Sequence, residues 1–198
     1  MARKDKYKRR NREQKTQKNT ILIVCGGSTE ELYFKKFRSD LGKIVVKPIL
    51  NNESPRRIVE RAIKERDKGK DTYIQTWCVF DKDDFSDFDD AIQLARKNNI
   101  EVAFSNQAFE LWFILHFKYV AHSMHRDKYK LEIKSLTGED YSKTNDKMYD
   151  LLKNKMDQAI TNAKKGHQTH SLENEKYSTW ESCTTVYRLV EELNRWKK

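Results

Sequence analysis

The run Trp77-Cys78-Val79-Phe80-Asp81-Lys82-Asp83-Asp84-Phe85 constrains this chain more than any other. Four consecutive apolar residues without polar alternation fit a strand buried on both faces, as in a parallel sheet covered by helices. The run then delivers three carboxylates within four residues. In an open parallel α/β sheet, ligands bind in the crevice beyond the carboxyl ends of the strands. Asp81 and Asp83 therefore stand where oxygen ligands could hold a hard cation. Neighbouring aspartates repel one another unless a cation or a basic partner offsets the charge. The plainer alternative is that Asp83 and Asp84 cap the following helix, since Asp is a favoured N-cap.

The flanking sequence supplies the rest of such a sheet. Thr20-Ile21-Leu22-Ile23-Val24-Cys25 is a second unbroken apolar, β-branched run, and Gly26-Gly27 breaks it. Ser28 and Glu31 have the spacing of a capping box. Leu32, Phe34, Phe37 and Leu41 give the predicted helix its apolar contacts, and Gly42 ends it. The free N–H groups of such a helix start can receive an anion. A strand around Ile44-Val45-Val46 follows, placed at a sheet edge by Pro48, which removes a ladder hydrogen bond. Ser54-Pro55 opens a helix lined by Ile58, Val59, Ala62 and Ile63, with Gly69 at its end.

After the aspartates, Phe88, Ala91, Ile92 and Ala95 mark a third helix and Ile100–Phe104 a fourth strand. The order β-α-β-α-β-α-β predicts an α/β fold, a parallel sheet with helices on both faces. Ser105–Phe117 reads as one apolar helix carrying Glu110 and His116. Six residues apart, these two face different directions. Glu110 is either a carboxylate favoured by the helix dipole or a further site acid.

From about residue 119 the alternation stops and helices are added. A short one is expected at 127–136, with a loop at 137–145 after it. A longer one is predicted over Lys147–Lys165, ended by Gly166, and the last over Thr184–Trp196. His122 and His125 read as surface residues. His167 and His170 fall in a predicted polar loop without ligand spacing. No repeat or low-complexity linker is present, so residues 19–198 are read as one domain with this helical elaboration.

Charge separates the N-terminal segment from that body. Of the net +10, +7 lies in residues 1–18, where nine Lys and Arg, including Lys8, Arg9, Arg10 and Arg12, face only Asp5 and Glu13. A flexible basic arm of this kind attracts phosphate backbones without sequence preference; together with Lys82 it is the expected nucleic-acid contact. A solubilising tail is the alternative. No apolar run of about 18 residues is present, so no membrane span is expected. The basic N-terminus has no apolar segment behind it, as a secretory signal would. Cys25, Cys78 and Cys183 lack paired spacing, which fits a reducing cytoplasm.

Three blocks carry a resemblance. Ile21–Phe34, Phe80-Asp81-Lys82-Asp83-Asp84-Phe85 and Phe109-Glu110-Leu111-Trp112 through His116-Phe117 resemble, in order, the signatures of the RloB-like family, and the likeness runs over roughly residues 9 to 195. The resemblance implies a compact Toprim-like domain and a divalent-metal nuclease using Mg²⁺ or Mn²⁺. It further implies a role in antiphage defence or abortive infection beside an ATPase of the ABC/SMC-related class, with DNA or an RNA such as tRNA as target. Asp81 and Asp83 would be the metal ligands, and Glu30, Asp81, Asp83 and Glu110 the catalytic set.

One position departs. The family usually has a glutamate where this chain has Gly26, and a positioned acid or base supplies about 10²–10⁴-fold in rate. Three readings follow: Glu30 stands in for it, the chain is an altered or inactivated form, or the site binds nucleic acid or the ATPase partner without cutting. A phospho-ligand site on Gly26-Gly27-Ser28 is a further alternative, although the motif is too short for a phosphate-binding fingerprint.

Overall fold

A computed structural model of the chain describes residues 20–41, 45–50, 53–68, 73–171 and 176–197. The basic arm, with Lys8, Arg9, Arg10 and Arg12, lies outside these residues, as do Gly42 and Gly69. Four strands, β1 (Thr20–Cys25), β2 (Val45–Leu50), β3 (Tyr73–Asp81) and β4 (Glu101–Ser105), form one sheet in the order β2-β1-β3-β4. Every pairing is parallel. Helices α1 (Ser28–Asp40), α2 (Pro55–Asp67) and α3 (Phe88–Lys97) make the crossovers. Pro48 sits on edge strand β2, where the missing N–H is tolerated.

Strand residues alternate between two cores, as the two-residue period requires. Ile21, Ile23, Cys25, Trp77, Val79 and Ala103 face α1 and the C-terminal helices. Leu22, Val24, Cys78, Phe80, Val102 and Phe104 face α2 and α3. Both faces are buried, which is why β1 and β3 are apolar without a break. The chain moves outward from β1 to β2, then crosses back to β3 and on to β4. The direction therefore reverses between β1 and β3, and the crevice at their carboxyl ends is the switch point where open α/β sheets bind ligands.

The remaining helices, α4 (Glu110–Leu115), α5 (Tyr129–Thr137), α6 (Met148–Leu152), α7 (Met156–Ser171) and α8 (Val186–Asn194), pack on the α1 face. Trp112, Phe113, Tyr149, Leu152, Leu189 and Leu193 are fully buried there. The three cysteines are free and buried.

Four local expectations are corrected. The capping box does not form: Gly27 is the N-cap of α1, without a side-chain cap bond, and Glu31 pairs with Lys35 at 2.9 Å. Ser28 already lies inside the helix, because Gly26 is still tied to β3 through its N–H to the Val79 carbonyl at 2.8 Å. Asp83 and Asp84 do not cap α3, whose N-cap is Asp87.

The helix read over Ser105–Phe117 begins only at Glu110. The Ser105 and Gln107 carbonyls instead accept hydrogen bonds from the Lys82 and Asp83 N–H groups, and the Asn106 N–H donates to Cys183. Backbone groups spent on tertiary partners are not free for a helical ladder. The helix read over Lys147–Lys165 is interrupted by a 3₁₀ turn at Lys153–Lys155 and then runs past Gly166 to Ser171. A mid-helix Gly costs only about 1 kcal/mol, and the contact of His167 Nδ1 with the Tyr187 hydroxyl at 2.6 Å holds the extra turn in place. His167 and His170 are thus helical, and His170 Nε2 bonds the Glu181 carbonyl at 2.9 Å.

Candidate active site

At the switch point, the ends of β1 and β3 and the starts of α1 and α4 enclose a cleft of about 230 Å³. Glu30, Asp81, Asp83 and Glu110 all line it. Each arrives by a separate local rule. Asp81 is the last residue of β3. Glu30 lies in the first turn of α1 and Glu110 begins α4, where the positive ends of the helices favour a carboxylate.

Glu30 and Glu110 are almost wholly buried. Asp81 keeps some exposure, yet its Oδ1 is sealed from solvent and has no hydrogen-bond partner. Glu110 accepts a 2.8 Å hydrogen bond from the Tyr141 hydroxyl. Burial pushes Glu30 up to about 7; its own backbone hydrogen bond opposes this, the charge of Glu110 adds to it, and Lys143 offsets part. Burial also raises Asp81 well above the usual carboxylate range, reinforced by Glu30 and Glu110 and opposed by a backbone hydrogen bond from Phe109.

Asp83 is arranged differently. Its backbone is in the left-handed region, with φ of 41°, and its carboxylate is bound by the Arg126 guanidinium, whose other nitrogen reaches Asp84 Oδ2 at 2.8 Å. Arg126 is placed by its backbone N–H, which donates to the Gln107 side chain at 3.0 Å. The repulsion expected within the aspartate motif is thus relieved by a basic partner at Asp83 and Asp84, and left standing at Asp81. Lys82 turns its ammonium toward the Asp83 carbonyl at 3.4 Å. His116 is not part of the cleft: it is buried, bonds the Trp112 carbonyl at 2.8 Å, and is pushed down to about 4 by desolvation.

The residues that sequence reasoning missed are Arg126, Tyr141 and Lys143. The only signal for Arg126 was the need of the adjacent aspartates for a cation. Nothing local marked the other two. Thr29 Oγ1 donates to the Lys143 carbonyl at 3.2 Å, tying the loop that carries Tyr141 and Lys143 to the start of α1.

Gly26 and Gly27 differ in what they exclude. A Cβ at Gly27 would lie 2.6 Å from a Glu30 carboxylate oxygen, so Glu30 folds back over Gly27. That carboxylate occupies the helix end where a phosphate would otherwise be received, which argues against a phospho-ligand on Gly26-Gly27-Ser28. A Cβ at Gly26 would lie 3.0 Å from the Ile58 Cδ1 methyl. Ile58 thus fills the space a side chain at 26 would need. Gly26→Glu is expected to destabilise the protein by about 1–3 kcal/mol through overpacking. Adding Ile58→Val should recover much of the loss. Urea midpoints of the two variants check this, and a Gly26→Glu protein as stable as the parent would refute it.

Could a divalent cation fit? Among the described residues, no group of three or more His, Cys, Asp or Glu side chains forms a ready-made cage. Mg²⁺ does not require one, since it keeps several waters and commonly uses one or two carboxylates. An orphaned buried carboxylate oxygen on Asp81, beside two further acids whose charges repel it, is the electrostatic setting a cation relieves. The donor set fits a hard cation.

A doubly wound α/β protein with a carboxylate-lined cleft at its switch point is thereby defined. The model of the RloB-like protein family matches residues 21–193, and the chain belongs to that family. No curated protein and no solved structure matches it significantly. Among the described residues no helix is long and apolar enough to cross a membrane.

Proposed function

We propose that this member of the RloB-like family is a divalent-metal phosphodiesterase acting on nucleic acid, with a Toprim-like arrangement of acids. The observation that carries the reading is the convergence of Asp81, Glu30 and Glu110 at the switch point, with the Asp81 Oδ1 left without a partner. Mg²⁺ or Mn²⁺ would be held by Asp81 with one neighbouring acid, and when bound would polarise the scissile phosphate and stabilise the leaving oxygen. Asp83, engaged by Arg126, serves the rim of the site and joins the metal shell only if that pair opens.

Glu30 is the residue suited to proton transfer. Its value of about 7 lets it hold or release a proton at neutral pH, which is what a general acid or base needs. It arises one turn after Gly26, lies over Gly27 and lines the same cleft as Gly26, so in this reading it does the work that the resemblance gives to an acid at position 26. Tyr141 and the start of α4 hold Glu110 in place as a second acid of the cleft. The basic arm would add sequence-independent affinity for the backbone. Participation with an ATPase of the ABC/SMC-related class in antiphage defence is part of the same proposal and rests on family likeness alone.

The test is cleavage of labelled DNA and tRNA in Mg²⁺, Mn²⁺ or EDTA, with and without the neighbouring ATPase, by the chain and by Gly26→Glu/Ile58→Val. Turnover by the parent, lost in EDTA and not raised in the variant, is expected. Cleavage by the variant alone would identify an inactivated nuclease. Binding without turnover by either would favour the second reading, a non-catalytic module that holds nucleic acid or its ATPase partner.

A further inference from the structure

A second hollow, of about 600 Å³, adjoins the cleft and shares Asp83, Glu110 and Lys143 with it. Its own walls bring Arg126 and Lys130. Arg126, Lys130 and Lys143 thus line a path that also carries Asp127 and runs into the cluster of acids; Arg126 is engaged by Asp83 and Asp84, which leaves Lys130 and Lys143 as the cations facing the approach. Lys130 and Lys143 are exposed, and Tyr129 and Tyr141 are buried beneath, so the hollow presents charge rather than aromatic faces. The cleft has a different wall. Phe85 lines it beside Pro55 and Ile58, and is 42% exposed despite its size. The turn that follows the aspartates, with the Phe85 N–H donating to the Lys82 carbonyl at 3.2 Å, holds that ring at the rim. An isolated exposed ring needs no explanation. A ring at the mouth of an acidic cleft whose other approach carries two exposed lysines is a combination that grips a single strand, with stacking for a base and charge for the phosphates.

We propose that the site takes single-stranded nucleic acid, one base stacked on Phe85 and the adjoining phosphates led along Lys130 and Lys143. This rests on the phosphodiesterase reading for what happens next, but the binding does not depend on turnover. Stacking on Phe85 requires a base free of its pairing partner, so an intact duplex is excluded unless a base is extruded. Aromatic stacking accepts any base, and phosphate contacts carry no sequence information, so recognition is of strandedness rather than sequence.

The experiment is fluorescence anisotropy of the full chain in EDTA with three probes: a short single strand, its abasic counterpart, and its duplex. Phe85→Ala should weaken binding of the single strand roughly 5- to 100-fold while leaving the abasic strand unchanged, and Phe85→Trp should restore it. Lys130→Gln/Lys143→Gln should lower the salt dependence for both strands by about 1.4 in log–log slope, two single-strand phosphate contacts. Photocrosslinking from an iodouracil strand should label Phe85. Equal affinity of Phe85→Ala and the parent for the single strand, equal parental affinity for single strand and duplex, or crosslinks confined to residues 1–18, would overturn the proposal. A chain that binds as described and never cleaves would overturn the phosphodiesterase reading and leave this one standing.

Discussion

Asp81→Asn is expected to abolish metal-dependent cleavage while leaving a folded protein. Asn has the same shape, so the end of β3 and its bond from Phe109 are retained. The charge that would hold the cation is gone. Loss of a preorganised electrostatic group of this kind costs at least about 10²–10³-fold in rate. The same change should eliminate the rise in melting temperature that Mg²⁺ or Mn²⁺ gives the parent, because a ligand that binds only the folded state stabilises it by mass action. Two readouts are thus tied to one oxygen. If Asp81→Asn cleaves at the parental rate, or still melts higher with metal, the cation is held elsewhere. Asp83→Asn should be milder in metal binding, since Arg126 already neutralises that carboxylate.

The second large effect is on stability against pH. Glu30 releases its proton near 4.5 when unfolded and holds it to about 7 when folded. Between those values the folded state binds more protons, so stability falls as pH rises. Its contribution is fully present below about 4.5 and is lost as pH passes 7, a change on the order of 3 kcal/mol at the scale of 1.4 kcal/mol per pH unit. Asp81, raised by burial and by Glu30 and Glu110, acts in the same direction. In EDTA, the parent should therefore unfold at lower urea at pH 8 than at pH 5, and Glu30→Gln should flatten that difference. Saturating Mg²⁺ should restore stability at pH 8 in the parent. A parent and a Glu30→Gln variant with the same pH dependence would show that Glu30 titrates normally.

These expectations depend on charges that the sequence places near one another only in part. Asp81 was legible because an unbroken apolar run ending in acids is a buried strand with a carboxylate at its tip, whatever the rest of the chain does. Glu30 was legible as a helix-start acid, since position within a first turn is a local property; Glu110 was read as a dipole carboxylate or a site acid on a helix expected to start at Ser105, and only the late start of α4 puts it in a first turn. Their convergence followed once β1, β3 and β4 were read as parallel, because parallel strands put their carboxyl ends on one edge. The capping box was misjudged because a cap depends on where the preceding strand lets go, and Gly26 stays tied to β3 through Val79.

What the sequence by itself determined is the parallel sheet and the edge on which the acids gather, because two-faced burial and strand direction are written in local pattern. Only the tertiary structure decided which acids are bare and which are neutralised. Arg126 comes from a polar stretch 43 positions beyond Asp83, Tyr141 reaches Glu110 from 31 positions away, and the loop of Lys143 is tied to Thr29 across 114. No periodicity carries such pairings. They are set by where the added helices pack on the α1 face. The physical consequence is that Asp83 is clamped by Arg126, while Asp81 and Glu30 remain crowded and desolvated.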